Sequence, residues 1–274
     1  MKSLIKTLAL IPALFTCHSL TAWAQENPQD SAPAQAAATT KSDSSEIKTI
    51  IIPEKITKAF VNEDYAKLVK SQKTPAHIKL KIKHKHKSEL IDHQTEHKEY
   101  KYPELNRTED GITYQGIAYK RQYDYMYSQL LITNSKSEKT LYDLSAFGLH
   151  ETNSIFIRFA ILKDNILYVS LSHRTYKDTN PDTAFILAIN PANGEILWRS
   201  DNIVCNTTNF LIIKDTIVCG YGFTKEPDYI NLLDLYSGKV LDTIPIKSGP
   251  AYFIQQDDLI HVATYNNNMT LSYK

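Results

Sequence analysis

Four histidines fall within one short stretch, His84 and His86 two apart, then His93 and His97. Imidazole is a preferred ligand of Zn²⁺ and Cu²⁺, and a His-x-His pair on a strand points both rings to one side. A hairpin turning around residues 88–92 would set His86 opposite His93 and His84 opposite Thr95, with His97 further along that face. Such a set is competent for a divalent metal, but it depends on register, because a slip of one residue turns every ring to the other face. The competing reading is a row of solvated histidines near the end of a hairpin.

The same stretch alternates lysine with apolar or imidazole side chains. Ile78, Leu80, Ile82, His84 and His86 fall on one face of a strand, and Lys79, Lys81, Lys83, Lys85 and Lys87 on the other. Five like charges on one strand face must be solvated or meet anions. Glu96 and Glu99 on a returning strand would neutralise part of the face. The alternative is an anion-binding edge that meets lipopolysaccharide or an acidic partner.

The sulfur chemistry rests on three cysteines, Cys17, Cys205 and Cys219. No Gly-x-Ser-x-Gly elbow, Gly-rich phosphate loop or Cys-x-x-Cys accompanies them, so the sequence offers no catalytic residue and no cofactor motif. Seven tyrosines, from Tyr100 to Tyr127, lie within 28 residues. Tyrosine suits half-buried strands, and it also suits contacts with proteins or sugars, because the ring is apolar and the hydroxyl polar.

The elements that position these groups begin after a leader. Residues 1–24 carry Lys2 and Lys6, an apolar run from Leu8 to Phe15 and the small-residue pattern Ala22-Trp23-Ala24, the form of a secretory signal peptide cleaved after Ala24. The apolar run is far shorter than the ~20 residues of a membrane span, and no second one follows. Acylation of Cys17 competes, but Leu14, Phe15 and Thr16 stand where a lipoprotein signal needs small residues. Cleavage would remove Cys17 and leave a chain of net charge −1, a balance that excludes an electrostatic nucleic-acid binder. It would also leave Cys205 and Cys219 as an even pair in a periplasmic or extracellular compartment where disulfides persist, and a bridge between them is expected.

Residues 25–46 hold prolines, alanines and small polar residues without one Val, Ile, Leu, Met or aromatic side chain, so they form a disordered linker. Residues 47–274 form the domain. Within it, 53–72 carries apolar residues at helical spacing, with Asn62 placed to cap a helix beginning near Glu63. Residues 76–102 form the Lys/His-rich hairpin, and 111–274 carry repeats.

The repeats are explicit. Ile189-Asn190-Pro191-Ala192-Asn193-Gly194-Glu195-Ile196-Leu197-Trp198 recurs 44 residues later as Leu233-Asp234-Leu235-Tyr236-Ser237-Gly238-Lys239-Val240-Leu241-Asp242. A second marker, Asp164-Asn165, Asp215-Thr216 and Asp257-Asp258, each between β-rich runs, keeps step at shifts of 51 and 42. Two markers with periods near the forties predict four-stranded blades. The segment Leu131–Tyr142 reads as a further copy without the turn glycine. Trp198 ends one copy and is expected to pack between blades.

Ala188 to Trp198, and more loosely Leu233 to Asp242, resemble the quinoprotein-type (PQQ-like) β-propeller repeat, with its Ala-Leu-Asp, Thr-Gly-Lys-like turn and tryptophan. The family includes dehydrogenases that hold pyrroloquinoline quinone and a scaffold lipoprotein of outer-membrane protein assembly. The resemblance implies an all-β propeller, small or incomplete at about four to five blades, with one or two short N-terminal helices. Quinone enzymes of this type need about eight blades of forty-odd residues, more than this chain supplies, so quinone is not expected. The final repeat stops one strand short, and Ile47–Ile52 is the expected strand to complete it.

Function follows from these expectations. The sequence favours a non-catalytic cell-envelope protein that binds a protein or glycan partner. An envelope enzyme, a carbohydrate-active hydrolase or lyase with its site at the propeller mouth, is the alternative, and a periplasmic toxin inhibitor is a third.

Overall fold

The computed structural model describes residues 46–53, 56–87, 104–118, 126–148, 155–173, 178, 181–223 and 225–274. The expected leader, nearly all of the linker, the return arm of the Lys/His hairpin and most of the tyrosine cluster lie outside these residues. No helix among the described residues is long and apolar enough to cross a membrane.

The chain enters through β1 (Ile47–Ile51), β2 (Phe60–Val61), α1 (Glu63–Gln72) and β3 (Leu80–Lys87). Next come β4 (Arg107–Glu109), β5 (Ile112–Ala118), β6 (Tyr127–Thr133) and β7 (Lys139–Asp143), then β8 (Phe156–Lys163), β9 (Ile166–Ser172), β10 (Phe185–Ile189) and β11 (Ile196–Arg199). The last two groups are β12 (Leu211–Ile213), β13 (Thr216–Tyr221), β14 (Asp228–Asp234) and β15 (Val240–Ile246), and β16 (Pro250–Gln256), β17 (Leu259–Thr264) and β18 (Asn267–Tyr273). Three of these groups are antiparallel meanders of the expected kind, β8 to β11, β12 to β15 and β16 to β18. The fold is all-β and propeller-like, with the one helix where the Asn62 cap predicts it: the Asn62 side chain accepts from the Tyr65 amide at 3.0 Å.

Three of the four strand groups gain a strand from the N-terminal segment, and β12 to β15 stands without one. β1 lies parallel to β7, β2 adds to β11, and β3 adds antiparallel to β18. The expectation that Ile47–Ile52 completes the last sheet is therefore corrected. Ile50 and Ile52 are buried in the first core instead, and β3 takes the place beside β18. One pairing, Tyr127 with Ile157, joins the first two groups into a curled ten-stranded sheet.

Alternation explains the packing. On β10, Phe185, Leu187 and Ile189 enter one core while Ile186 and Ala188 enter the next. On β14, Leu233 faces the second core, and Ile230 and Leu232 face a third. Successive side chains of a strand point to opposite faces, so a sheet sandwiched between two others must be apolar on both. Three cores thus lie between four consecutive strand groups. Among the described residues no further buried cluster joins the first group to the last.

The repeated turns are interlocks. Asn134, Asn190 and Asp234 each accept, through the side chain, the amide two residues on. Gly194 and Gly238 then take positive φ, 80° and 66°. A Cβ on Gly194 would sit 2.4 Å from Ile50 Cγ2 of β1, and one on Gly238 would sit 2.4 Å from Trp198 Cε3. Each glycine therefore admits the outermost region of the preceding sheet. Trp198 is fully buried, as expected, and its indole N–H donates to the Leu235 carbonyl at 3.1 Å. In the first group, which has no predecessor, Ser137 adopts the positive φ where the later copies have glycine.

Candidate functional site: a lysine edge and its notch

The segment between α1 and β3 crosses the third sheet as a strap held by polar contacts. Before α1, Asn62 anchors the run that leads into it, with its amide donating to Leu197 O at 2.8 Å and its side chain to Glu195 Oε1 at 2.8 Å. Lys73 Nζ donates to the Tyr236 hydroxyl at 3.0 Å, and that hydroxyl donates to Asp215 Oδ1 at 2.6 Å. The Ala76 amide donates to Asp215 Oδ2 at 2.7 Å, His77 Nε2 lies 2.6 Å from Asp234 Oδ2, and the Ile78 amide donates to Thr216 Oγ1 at 3.1 Å. Burial alone would raise the Asp215 pKa. The Ala76 amide and Tyr236 hydroxyl, helped by the charges of Lys73 and His77, outweigh it and hold the carboxyl below its ordinary value. The Tyr236 hydroxyl in turn raises the Lys73 pKa above the usual lysine value. Together these contacts deliver Ile78 into the third core and start β3 at the open side of β18.

β3 does not keep a strict alternation. Tyr273 pairs with Leu80 and Leu271 with Ile82, but Thr270 pairs with His84 and Met269 with Lys85, so Lys83 is an extra residue. Such a bulge resets which residues share a face. Leu80 and Ile82 pack on the third core, and beyond the bulge Lys85 joins their face beside Met269. Lys81 shares the opposite face with Ser272, and His84 lies there beside Thr270. The expectation that the lysines occupy one face is corrected on this ground. Lys79, Lys81, Lys83 and Lys85 are all exposed.

Two of the four histidines lie on the described part of β3. On the β18 side, His84 pairs with Thr270 and His86 with Asn268. Beyond Thr270, in the same row, lies His261 on β17, whose Nδ1 is 3.4 Å from Thr270 Oγ1. His93 and His97 lie outside the described residues, and no metal-competent group of three or more His, Cys, Asp or Glu residues occurs among the described ones.

Lys85 and Lys247 both lie where the third and fourth sheets part. Together with Ile246, Ser248, Thr264, Asn267 and Met269 they line a notch of about 200 Å³ with no carboxylate among the described residues of its wall. The Ser248 hydroxyl oxygen accepts from the Asn266 amide at 2.9 Å, which leaves its proton for another acceptor. Tyr265, 60% exposed, stands in the β17–β18 turn between the lining residues Thr264 and Asn267. The side-chain ion pairs among the described residues join Lys67 to Glu63 and Asp64, His77 to Asp234, and Arg107 to Glu109. None of them neutralises Lys85, Lys247 or the other described lysines of β3. Two ammonium groups, donors without a carboxylate and an adjacent aromatic ring can hold a compact anion and stack a ring-shaped one. Lys247, Ser248, Asn267 and Tyr265 carry no motif. Their signal in the sequence was position, since Lys247–Gly249 and Tyr265–Asn266 are the links at strand ends where adjacent blades meet.

Cys205 and Cys219 are both free and fully buried in the second core, within the same cluster as Phe210.

No family model matches the chain, and no curated protein matches it. Among solved structures it is similar to BamB from Moraxella catarrhalis, at 14% identity and a TM-score of 0.34, covering 57% of this chain and 40% of that one. It is also similar to the computationally designed Ika4 protein, at 13% identity and a TM-score of 0.35, covering 60% of this chain and 86% of that one. The computationally designed Ika8 protein follows at 10% identity and a TM-score of 0.29, covering 61% and 70%. The part of the BamB chain that is matched is less than half its length.

Proposed function

We propose that this protein is a non-catalytic binding protein of the cell envelope that holds an anionic glycan on the β3 edge, with the Lys85–Lys247 notch as its anchor. The observation that carries the reading is that Lys85 of β3 and Lys247 of the β15–β16 link line one notch with no acidic residue among its described lining. Exposed Tyr265 in the β17–β18 turn favours a sugar, whose ring can lie against the aromatic face while a phosphate or carboxylate enters between the ammonium groups. Lys79, Lys81 and Lys83 extend the positive edge beyond the notch and would raise the encounter rate with a polyanion.

The test is titration of the purified protein with lipopolysaccharide micelles and with polygalacturonate, using neutral dextran as control, at several salt concentrations. Binding to an anionic glycan that weakens with salt and drops by about tenfold or more in Lys85→Glu/Lys247→Glu is expected. Equal binding to dextran, or no loss in a double variant that keeps its circular dichroism spectrum, would overturn the reading. So would binding confined to acidic proteins.

A further inference from the structure

Cys205 and Cys219 come from different parts of one blade and are placed together by its backbone. The antiparallel pairing of β12 with β13 ends at Leu211 and Val218. Upstream of β12 the chain bends, yet it stays alongside β13: the Asn206 amide donates to Gly220 O at 2.9 Å, and its side chain joins Gly222. Asn231 on β14 donates to Val204 O at 2.9 Å and clamps this stretch from the other side. The Cys219 thiol donates to that same carbonyl at 3.4 Å, which puts its sulfur over the peptide that leads into Cys205. Both side chains have no exposed surface. Elsewhere in the second core the neighbours are aromatic or aliphatic, so each sulfur has the other as its natural reactive partner.

We propose that Cys205 and Cys219 are a dithiol–disulfide couple, bridged when the chain folds in an oxidising compartment. In the step, two S–H bonds break and one S–S bond forms. Two electrons and two protons pass to a small-molecule or protein disulfide, which leaves as two thiols. Timing follows from burial. Neither side chain has exposed surface, so in the folded dithiol both sulfurs are shielded from an oxidant. Bridging therefore belongs to the folding chain, before the second core closes, and once formed the bond is equally shielded from reductants. The couple is independent of the glycan reading, since neither sulfur approaches the notch residues.

The test has two arms. The full chain is exported with its own leader, denatured, alkylated without reduction and mapped by mass spectrometry. In parallel, full-length Cys17→Ser is unfolded, reduced and refolded with oxidised and reduced glutathione. A Cys205–Cys219 peptide in both arms is expected. Reducing the bridged form should lower the folding equilibrium constant roughly 100-fold, as expected for a closed loop of about 15 residues. Two alkylated cysteines in either arm, or glutathione adducts in place of the bridge, would overturn the proposal. Native dithiol that forms the bridge rapidly without unfolding would overturn the timing.

Discussion

His77 and Asp234 meet across 157 residues of sequence, Nε2 to Oδ2 at 2.6 Å, and in doing so they fix the route by which β3 reaches the last sheet. Asp234 also orders the repeat turn, through the Tyr236 amide at 3.0 Å and the Ser237 hydroxyl at 2.7 Å. One carboxylate thus serves the blade turn and the strap. His77→Ala removes only the strap contact. Its imidazole is about a third exposed, so the expected loss is about 1 kcal/mol, read as a lower urea midpoint with an unchanged slope. Faster hydrogen exchange should be confined to the strap and β3; a uniform change over all sheets would contradict the strap role.

Acid should loosen the strap through Asp215. Its folded pKa is depressed, so its contribution is fully present above the unfolded carboxylate value of about 3.9 and is lost as pH falls through the lower folded value. Urea midpoints measured from pH 6 to pH 2.5 should fall at the acid end, and Asp215→Asn should flatten that fall. An identical acid limb in the variant would remove Asp215 as its source.

Glycine at the repeat turn is set by its neighbour as well as by its own backbone. Gly238→Ala places a methyl group against the buried Trp198 ring and forces positive φ on a chiral residue, for an expected loss of roughly 2–3 kcal/mol. Gly111→Ala shares the positive φ, but its nearest contact is Ser135 Cβ at 3.5 Å, so a loss near 1 kcal/mol is expected. Thermal denaturation of the pair, with tryptophan fluorescence, separates the two causes. Equal losses would show that the Trp198 contact contributes nothing.

Deleting Lys83 removes the residue that has no cross-strand partner. Thr270 would still pair with His84 and Leu271 with Ile82, and Lys85 would still face Met269. The variant should fold within about 1 kcal/mol of the parent and keep its notch affinity. A shift of Lys85 to the opposite face, seen as loss of anion binding equal to that of Lys85→Glu, would count against the register.

Much of the fold was legible because it repeats. The Gly194 and Gly238 turns and the Asp-led hairpins mark strand ends locally, and three meanders carry those marks at their turns. The first group was harder to recognise because Ser137 stands where the other copies have glycine, a position with no preceding sheet to admit. The partner of β18 was not legible. Ile47–Ile52 and Leu80–Lys87 both read as strands, and the choice between them is made by Asp215, Tyr236 and Asp234 gripping the strap. Those residues belong to a turn and a hairpin that look like any other in the repeat. The Lys83 bulge has no periodic mark, which is why an ideal alternation misplaced Lys85. The notch needed Lys247 from a link between sheets, and only three-dimensional packing brings it to Lys85.

β3 is made long before the strand it pairs with, since β4 to β17 lie between them in the chain. During synthesis or export the apolar face of Leu80 and Ile82 therefore waits unpaired while most of the domain forms. A bare strand in that interval is a template for association with other copies. The interleaved lysines keep it apart by mutual repulsion, so the charges proposed to hold a glycan in the finished protein would also guard the chain before it is finished.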